Sequence, residues 1–70
     1  MENKMNNDII DFYEGNGILS RVNSSMVPTV NSLIIIYEKK WKVTHVSFTV
    51  ERIKGQTEGS MRCSVDLKPV

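Results

Sequence analysis

Between Trp41 and Val50 the hydrophobic residues change phase. Trp41 and Val43 fall on one parity, whereas Val46, Phe48 and Val50 fall on the other. A strand of strict two-residue period would send these sets to opposite faces and leave one of them in water. An extra residue at Thr44-His45 reconciles them, because a β-bulge or sharp bend there returns both sets to one inner face. A long strand that bends midway and serves two sheets is how a small barrel closes. This segment therefore predicts an all-β chain.

The rest of the chain agrees with that prediction. Asp8–Glu14 and Ile18–Val22 are short β-prone runs joined by Gly15-Asn16-Gly17, where Asn and Gly tolerate positive φ, so they read as a hairpin. Asn23–Ser25 and Val27–Ser32 carry loop chemistry, and Pro28 disfavours helix before it. Asn31-Ser32 makes a turn into the β-branched run Leu33–Ile36, and Glu38-Lys39-Lys40 serves as the next hairpin connection, without the glycine such a turn prefers. Arg52–Ser60, with Gly55 and Gly59, reads as an exposed loop. Met61, Cys63, Val65 and Leu67 then alternate with Arg62, Ser64, Asp66 and Lys68 in a last strand that Pro69 ends. The expected architecture is a five-stranded, partly open SH3-like or OB-like barrel over residues 8–70, preceded by a flexible polar segment, residues 1–7.

Length limits how such a barrel is stabilised. A chain of 70 residues buries a modest share of its surface and normally needs a supplement to its core. Cys63 is the sole cysteine, so no disulfide forms within the chain, and one His with one Cys falls short of the roughly four N or S ligands of a structural zinc site. No metal or cofactor is expected. Self-association is the remaining supplement. Leu33–Tyr37 is apolar on both parities, as expected of a strand whose outer face a second subunit covers. No apolar run is long enough to span a bilayer as a helix and no signal-peptide core is apparent, so the expected setting is the cytoplasm with Cys63 reduced.

Two segments carry a resemblance. Val27-Pro28-Thr29-Val30-Asn31-Ser32-Leu33-Ile34-Ile35, followed by Lys40-Trp41-Lys42-Val43-Thr44-His45-Val46, resembles the VPxxGDxI…KxYxVxxV signature of small phage and prophage accessory proteins. It covers about the central third of the chain. Asn31-Ser32 stands where that signature has Gly-Asp, and Glu38 where the hairpin glycine would be. The resemblance implies a small barrel and a protein that acts stoichiometrically on a host pathway, by blocking a defence complex or sequestering a nucleotide signal.

Few residues offer chemistry. His45 at the bend either contacts a ligand or is an ordinary surface histidine. Cys63 shares the apolar parity of its strand and reads as a small core residue, so a Cys63–His45 dyad is rejected and no enzyme is expected. Asp8, Asp11 and Glu14 lack the spacing and central glycine of a calcium loop and read as a solvated acidic strand face. Gly15-Asn16-Gly17 lacks the lysine and following helix of a phosphate loop.

The cluster Lys39-Lys40-Trp41-Lys42 is the strongest binding candidate. Alternation points Trp41 inward and Lys40 and Lys42 outward, which suits either a core tryptophan flanked by solvated lysines or a positive patch. In the second case Arg21, Arg52 and Arg62 join the lysines to bind phosphate or an acidic protein surface. The leading expectation is thus a non-catalytic, oligomeric inhibitor of a host defence pathway that captures an anionic nucleotide messenger or masks a host protein. Nucleic-acid binding is an alternative, disfavoured by a net charge of +1, and a structural phage component is another.

Overall fold

The computed structural model describes residues 9–52, 54–57 and 59–70. The expected flexible segment 1–7 and Asp8 lie outside the described residues. Five strands follow in order: β1 (Ile9–Glu14), β2 (Gly17–Asn23), β3 (Leu33–Ile36), β4 (Lys39–Arg52) and β5 (Gly59–Pro69). They form one mixed sheet ordered β2-β1-β5-β4-β3, curled into a half-barrel. The all-β architecture is as the sequence predicts. The long bent strand, however, does not divide itself between two sheets: β4 pairs with β3 along Lys39–Lys42 and with β5 along Trp41–Arg52, all in one curled sheet.

The phase slip resolves as a bulge. Val43 pairs with Leu67 and His45 with Asp66, which leaves Thr44 as the extra residue. Its hydroxyl donates to the Asp66 carbonyl at 3.1 Å, fixing the bulge to β5. Val43 and Val46 accordingly face the same concave side, with Trp41 before them and Phe48 after. Ile10, Phe12, Trp41, Val43, Cys63, Val65 and Leu67 form the buried core, flanked by Leu19, Ile34, Ile36 and Val46. Phe48, Val50 and Met61 lie on this concave side and are exposed. Among the described residues the β1–β5 ladder reaches only the Ile9–Arg62 pair, while the β4–β5 ribbon runs on to Arg52–Gly59. This overhang accounts for an elongated molecule of 42 × 26 × 18 Å.

The turns carry the backbone strain. Gly15-Asn16 closes the first hairpin between Glu14 and Gly17, with Gly15 at φ 60°, the position where a type II′ turn requires glycine. The second hairpin closes one step earlier than expected. Its turn is Tyr37-Glu38 rather than Glu38–Lys40, because Ile36 pairs with Lys39. Both residues take positive φ, 51° and 68°, as a two-residue type I′ turn demands, although neither is Gly or Asn. Asn31 takes φ 77° in a turn where Ser32 N donates to Thr29 O at 3.1 Å, so asparagine does there what glycine would. The loop expected over Arg52–Ser60 is shorter, since Arg52 and Ser60 both belong to the β4–β5 ladder.

The segment Ser24–Ser32 links the edge strands β2 and β3, which do not pair with each other. It passes over the concave face and leaves two hollows. The smaller, about 30 Å³, lies among Ile10, Val27, Phe48 and Met61. The larger is an open hollow of about 420 Å³ lined by Phe12, Met26, Val27, Pro28, Thr29, Ser32 and Ile34.

Candidate interaction site

Of the predicted binding residues, Arg21, Lys40, Lys42, His45 and Arg62 fall on the convex face, while Lys39 and Arg52 share the concave parity; the convex residues fall into two groups. The first is an ion ladder crossing four strands. Asp11 on β1 is 1% exposed, although it projects from the face opposite the core. Arg21 on β2, directly across from it, donates from Nε to Oδ1 at 2.5 Å. On the other side Arg62 Nε of β5 lies 3.2 Å from Oδ2, off the line of a hydrogen bond, as an ion pair only. Arg62 Nη1 continues to Glu51 Oε2 on β4 at 3.5 Å. The hydrogen bond from Arg21 to Asp11, and then the carboxylate's charge, raise the arginine's pKa further above its ordinary value.

This ladder corrects one expectation and reassigns two residues. Asp11 is not part of a solvated acidic face: two arginines from neighbouring strands close over it, since a buried carboxylate must be paired. Arg21 and Arg62 therefore have their charge engaged by carboxylates, although both side chains remain partly exposed. Arg52 stands apart at the far end of the β4–β5 ribbon, opposite Gly59.

The second group is a basic and apolar patch. Trp41 points into the core and Lys39, on the same parity, sits with Nζ 4.5 Å from the centre of its ring. Trp41 is thus a core residue, and its buried Nε1 has no hydrogen-bond partner among the described residues. Lys40 and Lys42 point outward. Lys42 stands opposite Leu33 on one side and Lys68 on the other, and Lys40 stands opposite Ile35. Three exposed lysines therefore share a face with Leu33 and Ile35, which are 53% and 63% exposed. None of the three forms an ion pair among the described residues. Tyr37, 96% exposed, stands in the strained turn that ends β3. Sequence reading found Lys40 and Lys42 by alternation, but Lys68 entered only through the β4–β5 register.

His45 lies beside the patch on the same convex face, opposite Asp66, with Nδ1 3.3 Å from the Thr44 hydroxyl. Cys63 is buried on the concave side, so the sheet itself separates these two residues. Burial, and secondarily the nearby Asp11, push the Cys63 thiol pKa up, away from the thiolate a nucleophile needs. No group of three or more His, Cys, Asp or Glu residues able to hold a metal occurs among the described residues. Among the described residues no helix is long and apolar enough to cross a membrane.

Comparison with known proteins finds no family model that matches this chain, no matching curated protein and no matching solved structure.

Proposed function

We propose that this chain is a non-catalytic binding domain that masks an acidic surface of a protein, in the manner of the small phage inhibitors its central motif resembles. The observation that carries this reading is the convex patch of Lys40, Lys42 and Lys68 around Leu33 and Ile35. Unpaired like charges side by side weaken a sheet, and exposed aliphatic residues between them add apolar area that water does not favour. Both features suit a partner that brings carboxylates and apolar contacts together.

Capture of a nucleotide by a single chain is the weaker reading. A nucleotide phosphate needs cations around a concave site, and the residues lining the 420 Å³ hollow include none. Nucleic-acid binding is weaker for a related reason. Of the exposed aromatics, Tyr37 lies in the β3–β4 turn and Phe48 on the concave side, so they offer no shared stacking platform with the lysines.

The test is binding of polyglutamate, followed by fluorescence anisotropy, to the wild type and to a Lys40→Glu/Lys42→Glu/Lys68→Glu variant. Binding that weakens with salt and disappears in the variant supports the reading. Equal binding by both proteins sinks it.

A further inference from the structure

We infer that the free edge of β3 receives an extended segment of the partner protein as an added strand, and that this segment alternates apolar and acidic residues. The inference rests on the masking function proposed above and specifies its mode. Among the described residues β3 is an edge strand whose one neighbour is β4. The Ile36–Lys39 pair closes a two-residue hairpin, so it is a hydrogen-bonded pair, and antiparallel alternation makes Ile34–Trp41 the next. The bond from Val43 N to Ser32 O at 2.9 Å continues the same alternation. The N–H and C=O groups of Leu33 and Ile35 therefore point to the open edge.

Natural edges are guarded by shortness, charges, proline or bulges; β3, Leu-Ile-Ile-Ile, is only four residues long but carries no charge, proline or bulge. Its side chains state what an added strand should look like. On the concave side the edge borders the 420 Å³ hollow lined by Ile34, Phe12, Met26 and Pro28, which suits apolar side chains of the incoming strand. On the convex side the same strand would lie beside Leu33 and Ile35, about two strand spacings (~10 Å) from Lys40 and Lys42. Glutamate and lysine side chains together span that gap, and their methylene stems cover the two exposed aliphatic residues. Main-chain bonds would give affinity, and this alternation the specificity.

The experiment uses capped peptides of alternating Ile and Glu, their Ile and Lys counterparts, and an Ile and Glu version N-methylated along one edge. Binding is measured by calorimetry and located by amide hydrogen exchange. The expected result is binding of the Ile and Glu peptide with new protection at the Leu33 and Ile35 amides. Affinity should fall at least about tenfold for the lysine peptide, the N-methylated peptide and the Ile35→Pro variant. Ile35 does not donate to β4, so proline there should leave the hairpin intact. Should that variant unfold, the N-methylated peptide reports the same bonds from the partner's side.

Peptide binding unaffected by N-methylation, or protection elsewhere than β3, overturns strand addition. If only polyglutamate binds, and still needs the lysines, strand addition fails while the masking function stands. If neither ligand binds, both fall. A dimer in sedimentation that Ile35→Pro converts to monomer shows the edge paired with a second copy, and overturns the proposed partner.

Discussion

Lys42 on β4 stands directly opposite Lys68 on β5, two like charges paired across the sheet. Cross-strand pairs contribute roughly 0.2–1 kcal/mol when favourable, and like charges reverse the sign. Lys68→Glu is expected to stabilise the fold by up to about 1 kcal/mol in urea denaturation while weakening polyglutamate binding. A variant that gains no stability would mean the two ammonium groups already diverge into solvent. A variant that binds as well as the wild type would remove Lys68 from the patch.

Asp11 offers the opposite case, an attraction the fold depends on. Its side chain is 2% exposed between Arg21 and Arg62, whereas both arginines are partly exposed and Arg62 also reaches Glu51. Asp11→Ala should cost about 1–2 kcal/mol, the loss of a charge-assisted hydrogen bond, because it leaves no buried charge behind. Arg21→Ala should cost at least as much, because it leaves the buried carboxylate without a hydrogen bond and with the Arg62 ion pair alone. A clearly smaller loss for Arg21→Ala would show that the Arg62 ion pair by itself is enough to hold the carboxylate.

The Tyr37-Glu38 turn separates stability from binding. Both residues sit at positive φ without glycine's freedom, which costs of order 1 kcal/mol each. Replacing the pair by Asn-Gly, the preferred type I′ sequence, is expected to raise stability by about 1–2 kcal/mol. The same change removes a tyrosine that is nearly all exposed beside the β3 edge. Partner affinity should therefore fall as stability rises, a combination that calorimetry and denaturation measure independently. If affinity is unchanged, Tyr37 takes no part in docking.

Cys63 makes stability depend on alkaline pH. Burial raises its pKa above the ordinary 9.0, so the native state holds the thiol proton more tightly than the unfolded chain does. The stability this provides is complete below 9.0 and is lost as pH rises from there through the raised native value. Wild type should thus lose stability between pH 8 and alkaline pH faster than Cys63→Ala, in which that proton is absent; a thiol reagent should modify the native protein slowly. Parallel pH profiles for the two proteins would contradict this account.

What sequence alone determined follows from strand periodicity, a local property. The bulge at Thr44, the inward Trp41 and Cys63, the outward Lys40 and Lys42, and the Gly15-Asn16 turn all follow from alternation and turn chemistry within a few residues. The Tyr37-Glu38 turn escaped because its residues are poor type I′ formers; strand register rather than local preference holds them there.

Tertiary structure decided everything that depends on which strand lies beside which. β1 runs parallel to β5, a pairing that joins the two ends of the chain and leaves no local signature. That neighbour places Arg62 beside Asp11, which with Arg21 from β2 turns an outward acid into a buried, doubly paired one. The β4–β5 register, in turn, brings in Lys68, and the sheet order leaves β3 with an open edge. Alternation fixes the face each residue points to, but the partner it meets there belongs to another strand, and only the folded sheet selects that strand.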